Sequence, residues 1–208
     1  MTYTELVAAA KAYADRQDIE VSDNIDVFIL MVEARMNRIL KTREQTARAY
    51  TLIIADQEYY GLPVDYRGMR NIQLTKNQPS TEHDIIPIDY ETPEMFDRRT
   101  ANTSHSNDAF YTILADQIQL HPVIADYYIE MAYYQKVPNL NDTDTTNWIS
   151  NSHPDMYLSG LVAEIEAFAK NYDVAKTWYD RLTSAMSELD TSDEKERWSG
   201  VSMSMRLA

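Results

Sequence analysis

Cysteine is absent from this chain of 208 residues, and glycine occurs only four times. Without thiols the chain has no disulfide bond, no thiolate ligand for zinc and no cysteine nucleophile. Its glycines are too widely spaced to form a phosphate-cradling loop; they are Gly61, Gly68, Gly160 and Gly200. No apolar run approaches the roughly 18 residues of a membrane span, and the N-terminus lacks a basic segment, so we expect no signal peptide and no membrane partner.

Basic residues are also scarce: 19 lysines and arginines stand against 33 acidic residues, a formal net charge of −14. This balance argues against a dedicated nucleic-acid binder, which needs cations to displace the counterions of phosphate. Residues 82–130 contain ten acidic residues and two arginines, whereas residues 33–48 are net positive. Such clusters are usually solvated faces, but the two regions could also face different partners. We define the basic helix face as Arg35, Arg38 and Lys41.

The N-terminal part is predicted to be helical. Thr2 and Glu5 form a capping box before a short first helix. Ser22 or Asp23 caps a second, longer helix, after a connection over Gln17–Val21. Its apolar stripe has helical spacing and consists of Ile25, Phe28, Ile29, Val32, Met36, Ile39 and Leu40.

The middle of the chain is predicted to be β-rich. Residues 50–55 and 69–75 favour strands, and 85–88 can form only an edge strand because it contains proline. The clearest hairpin pairs Phe110–Leu114 with Gln117–Leu120 around Ala115-Asp116. A last strand, rich in tyrosine, spans about residues 126–136, and residues 93–99 favour a helical turn.

A third and a fourth helix are predicted towards the C-terminus. Pro154 fits the first turn of one helix, and Asp155 places a negative charge at the positive end of its dipole, so this helix should run to about Lys170. We expect Trp148 to be largely buried between the start of this helix and the second one. The fourth helix should span about residues 173–189, followed by a flexible arm.

These elements predict an α+β fold by segregation. About four helices, from residues 1–48 and 138–189, should form a bundle that carries a small inserted β-sheet or barrel at 49–137. Residues 190–208 form the extended C-terminal arm. Alternate positions of this arm would lie on one face of an extended strand, a usual form for binding a sheet edge or a groove. The arm carries the hydrophobic residues Trp198, Val201, Met203, Met205 and Leu207.

Catalytic patterns are weak. None of the four histidines lies three or four residues from another, so no helical metal pair exists; they are His83, His105, His121 and His153. Asp89 and Glu91 would share a strand face, and Ser104 neighbours His105, but exposure is the simpler interpretation of both pairs. We therefore predict no catalytic, metal or cofactor site. A hydrolase acting on the cell envelope and an unrelated small helical scaffold protein remain as alternatives.

Three segments resemble the head-to-tail adaptor (connector or head-completion) proteins of tailed bacteriophages. Residues 33–40 are similar to the helix that leads into the strand region, and Leu62-Pro63-Val64-Asp65-Tyr66 looks like the Leu-Pro-x-Asp-aromatic segment that follows it. The third segment contains Asn147, Trp148, Pro154, Asp155, Tyr157 and Leu158. The hairpin departs from the pattern, because Ala115-Asp116 replaces a glycine-bearing turn.

The resemblance implies a structural virion protein in the neck between head and tail, assembled in the host cytoplasm. It implies binding to the portal protein by the C-terminal arm, a ring of about twelve copies, and a tail nozzle or tail-tube protein on the distal face. DNA would pass through the ring without specific binding, as an acidic channel favours.

Overall fold

A computed structural model of the protein describes residues 1–78, 85–102 and 108–199, with side chains left undescribed at 102 and 197–199. The chain folds into two compact units. The helical unit comprises Met1–Glu44 and Val137–Ala208, and the β unit comprises Gln45–Lys136. The predicted α+β class is therefore confirmed.

Six helices lie in the described residues of the helical unit. They are α1 (Tyr3–Tyr13), α2 (Ile19–Asp23), α3 (Ile25–Ile39), α5 (Trp148–Ser152), α6 (Pro154–Phe168) and α7 (Tyr172–Ser199). The capping box of α1 is present as predicted: Thr2 accepts from the Glu5 N–H, and Glu5 accepts from the Thr2 N–H. The predicted stripe of α3 is buried at Ile25, Phe28, Ile29, Val32 and Met36, although Ile39 is exposed.

Helix α6 passes close to α3 and α7 at Gly160. A Cβ atom on Gly160 would lie 2.6 Å from Val32 Cγ1 and 3.3 Å from Leu182 Cδ2. Distances under about 3 Å are far inside van der Waals contact. Only glycine therefore allows α6 to pack this closely against Val32.

The β unit contains two four-stranded sheets among its described residues, where one small sheet or barrel was expected. Its elements are β1 (Thr46–Leu52), β2 (Tyr59–Gly61), β3 (Tyr66–Thr75), β4 (Ile85–Pro87), β5 (Asp89–Tyr90), α4 (Pro93–Asn102), β6 (Phe110–Leu114), β7 (Gln117–His121) and β8 (Tyr128–Gln135). A 3-10 turn at Arg43–Gln45 precedes β1. The sheet orders are β1-β8-β3-β4 and β2-β7-β6-β5, and all pairs are antiparallel except β5 with β6.

The hairpin forms in the predicted register, with Leu114 opposite Gln117. Ala115 adopts a positive φ of 54°, a conformation that glycine tolerates better than alanine. The proline-containing strand β4 lies at a sheet edge, as expected from its missing N–H donor.

Two predictions about the helices are wrong. The helical unit holds more than the four helices expected. Helix α2 overlaps the segment predicted as a connection, and α5 is a separate short helix just before the predicted start of α6. Helix α7 also continues to Ser199, so residues 190–199 of the predicted extended arm are helical. The helix continues because Asp193 is buried and accepts hydrogen bonds from the backbone N–H and the guanidinium of Arg43. These polar contacts stabilise the last turns of α7, which have no apolar stripe.

Candidate functional site

A buried polar network joins the motif residues Asn147 and Tyr157 to Glu33 on α3. The Tyr157 hydroxyl donates to Glu33 Oε1 over 2.9 Å, and the Leu140 N–H donates to the same oxygen over 2.7 Å. Asn147 Nδ2 donates to the Tyr157 hydroxyl and to the Pro138 carbonyl, each over 2.7 Å. The network fixes the loop between β8 and α5 against α3 and α6, which gives the Asn-Trp and Pro-Asp-x-Tyr segments a structural role.

Glu33 is the only carboxylate of this network, and its side chain is buried. Burial raises the pKa of Glu33, while the hydrogen bonds from Leu140 and Tyr157 act in the opposite direction. Burial and the nearby Glu33 carboxylate also raise the pKa of Tyr157, so this hydroxyl stays protonated as a donor. The Glu33 side chain therefore accepts hydrogen bonds from two donors, Leu140 and Tyr157, and this arrangement stabilises the loop that contains Leu140.

The other residues of the third motif have simpler roles. Asn147 forms a capping box with Ser150 at the start of α5, and His153 occupies the N-cap position of α6 without a side-chain hydrogen bond. Trp148 is the first residue of α5 and is only partly buried, so the prediction of a largely buried tryptophan is wrong. The buried aromatic of the motif is Tyr157. Pro154 and Asp155 lie in the first turn of α6, as predicted, and Leu158 packs against the core.

The segment Leu62-Pro63-Val64-Asp65 closes one end of the β unit. Asp65 Oδ1 accepts from the Tyr133 hydroxyl over 2.9 Å, and the Asp65 carbonyl accepts from the Lys136 N–H over 2.7 Å. Burial and the hydrogen bond to Asp65 raise the pKa of Tyr133 to about 12. The Asp65 of this motif thus ties the start of β3 to the end of β8.

The three residues of the basic helix face lie in two different environments. Arg35 is half-buried and its guanidinium carbon lies 4.2 Å from the ring centre of Tyr179 on α7, a cation–π contact. Arg38 and Lys41 are exposed. Arg35 therefore contributes to packing, while the other two present charge to the surface.

Helix α3 also has an outer apolar face, which the sequence analysis missed. Val27, Leu30 and Met31 are 49%, 59% and 51% exposed, and Ala34 is exposed beside them. Their spacing of three, one and three places them on the side of the helix opposite the buried stripe. The signal was present in the sequence, because α3 carries apolar residues at helical spacing on two faces.

The predicted arm lies mostly beyond the described residues. Trp198 falls in the last turn of α7, with its side chain undescribed, and the other four arm residues, Val201, Met203, Met205 and Leu207, lie outside the described part.

The candidate catalytic residues form no reactive arrangement among the described residues. Glu91 accepts from Arg99 over 2.7 Å, and Asp89 begins strand β5. His83, Ser104 and His105 lie outside the described residues. Within the described ranges no three histidine or acidic side chains converge as metal ligands, and no helix has the length and hydropathy to cross a bilayer.

The polar contacts described above are structural: a buried network anchors a loop of the helical unit, and Asp65 ties two strands of the β unit together. The chain matches the sequence profile described as SU10 adaptor protein over residues 1–206. It therefore belongs to this family of phage head-to-tail adaptors, as the three motifs predicted. The chain matches no curated protein.

Proposed function

We propose that this protein binds beneath the portal ring of a phage head and extends the DNA channel towards the tail. The observation that carries the proposal is the family match over residues 1–206. About twelve copies would form a closed ring in the virion neck, with the distal face against a tail nozzle or tail-tube protein. Assembly would take place in the host cytoplasm.

The charge of the chain supports the role of a channel wall. With a net charge of −14, a ring of copies would repel the DNA backbone, so DNA would slide through without specific binding. The acidic residues of the β unit, such as Glu58, Asp116 and Asp126, are exposed and available for this surface.

We propose the C-terminal arm as the portal contact. Val201, Met203, Met205 and Leu207 alternate with polar residues, and such a pattern fits pockets along a sheet edge or groove. Trp198, at the end of α7, would begin this contact.

The test is binding to isolated portal rings, measured by gel filtration and electron microscopy. Deletion of residues 198–208 should abolish binding with little change in melting temperature. Replacing the four alternating hydrophobic residues by serine should have the same effect. The matched control replaces Ser202 and Ser204 by alanine, which changes the opposite face of the same segment. Full-affinity docking of the deleted protein would show that the helices make the contact.

A further inference from the structure

The outer face of α3 is unusual for a surface helix. Helices of soluble proteins normally bury one apolar stripe and expose a polar one. Here the second stripe of Val27, Leu30, Met31 and Ala34 lies exposed, opposite Ile29 and its buried neighbours. A helix that is apolar on two faces is expected to be covered on both sides.

Charges of opposite sign lie at the two ends of this outer stripe. Glu20 and Asp23 precede it on α2, which is separated from α3 by the single residue Asn24. Arg38 and Lys41 follow it, and all four charged side chains are exposed. In the sequence, Asp23 and Arg38 stand the same number of positions from the midpoint between Leu30 and Met31 and carry opposite charges. Glu20 and Lys41 are arranged in the same way further out.

This symmetry makes the outer face complementary to itself when it is turned end to end. Antiparallel packing about the midpoint places Leu30 against Met31 of a second copy and Val27 against its Ala34. Asp23 of each copy then lies opposite Arg38 of the other copy, so the dimer contains two such charge pairs. Parallel packing would instead bring like charges together, which is unfavourable.

We propose that two free copies of this protein associate through the outer faces of α3, antiparallel and related by a twofold axis. A twofold contact uses the same patch on both copies, as this pattern requires. Among the described residues of the helical unit, α7 presents a polar outer face with Asp173, Asp180 and Glu188, so it offers no matching apolar stripe.

The association should be weak, and it does not depend on the proposed portal binding. A helix of 15 residues spans roughly 22 Å, so the contact falls at the small end of protein interfaces. A closed ring uses head-to-tail contacts, so the twofold pair is a contact of the free protein and differs from the lateral contacts of the proposed ring.

Exchanging the charges at positions 23 and 38 tests the antiparallel arrangement of the two α3 helices. Sedimentation equilibrium from about 5 to 500 μM should show a monomer–dimer equilibrium for the unchanged protein. Asp23→Arg and Arg38→Asp should each weaken association by roughly tenfold or more, because each places like charges at both ends of the contact. An equimolar mixture of the two single variants should recover association as a heterodimer. The double variant should recover it as a homodimer.

The controls separate the contact from folding and from general charge. Leu30→Glu should abolish association, while Asp180→Arg and Val174→Glu, at exposed positions away from the outer face of α3, should leave it unchanged. Circular dichroism checks that each variant is folded. A wild type that stays monomeric at the highest concentration would overturn the proposal. So would a double variant and a mixture that both fail to recover, which would mean that α3 contacts a different surface.

Discussion

At the scale of single residues, two positions in the helical core depart from what composition alone favours. Glu33 is a buried carboxylate, and Gly160 is a glycine inside a helix. Both were invisible to periodicity: Glu33 falls beside the apolar stripe of α3, and Gly160 interrupts that of α6. The structural role of each depends on a partner more than a hundred residues away in sequence: Tyr157 for Glu33 and Val32 for Gly160.

Glu33→Gln should change how stability depends on pH. The glutamine oxygen can still accept from Tyr157 and Leu140, but it carries no charge to desolvate. Because the pKa of Glu33 is raised in the folded protein, its favourable contribution is complete below the unfolded value of about 4.3 and is lost as pH rises through the folded value. The stability of the variant relative to wild type should therefore increase from pH 4.5 to pH 8.

Urea unfolding at several pH values measures this difference. The control is Glu194→Gln, which changes an exposed glutamate on α7. If the difference in unfolding free energy between Glu33→Gln and wild type stays constant with pH, then the pKa of Glu33 is not raised in the folded protein.

Gly160→Ala should destabilise the protein although alanine favours helices. The propensity gain is about 1 kcal/mol, whereas overpacking a close helix contact costs about 1–3 kcal/mol. The added Cβ would meet Val32 Cγ1 at 2.6 Å, so we expect a net loss of up to about 2 kcal/mol. In Val32→Ala this loss should shrink, because the clashing methyl groups are gone. Denaturant unfolding of the four proteins of this double-mutant cycle measures the coupling; additive effects would exclude the clash.

At the scale of elements, the sequence predicted those features that depend on interactions between residues close together in the chain. The hairpin of β6 and β7 formed in the predicted register because strand alternation and a two-residue loop together determine pairing. The end of α7 was not predictable in the same way, since Asp193 is held by Arg43, 150 residues away. The burial of Trp148 was overestimated for a related reason: Tyr157, anchored through Glu33, occupies the buried position of the motif.

Ala115→Gly should leave the hairpin intact and raise its stability slightly. A left-handed conformation costs a non-glycine residue roughly 1–2 kcal/mol, and the added chain entropy of glycine costs about 0.5–1 kcal/mol. The expected net gain is up to about 1.5 kcal/mol, read as a higher melting temperature. Asp116→Gly is the matched control at the neighbouring turn position, where φ is not positive, and should lower stability. Equal effects of the two changes would refute strain at Ala115.

At the scale of the whole molecule, family membership and surface chemistry lead to one expectation about assembly. The family match shows a phage structural adaptor, and the ring proposed above requires copies that meet side by side. The net charge of −14 makes free copies repel one another, which weakens their association in solution.

We predict that a ring closes only on the portal. Copies bound side by side on a portal ring have a high effective concentration, so lateral contacts too weak for free association suffice there. Sedimentation velocity at low micromolar concentration should show monomers, with dimers at higher concentration and no ring. Addition of portal rings should convert the protein into a complex of about twelve copies, counted by mass. A stable ring at low micromolar concentration without any partner would show that lateral contacts alone are strong enough, and the portal would then be a docking surface rather than the agent of closure.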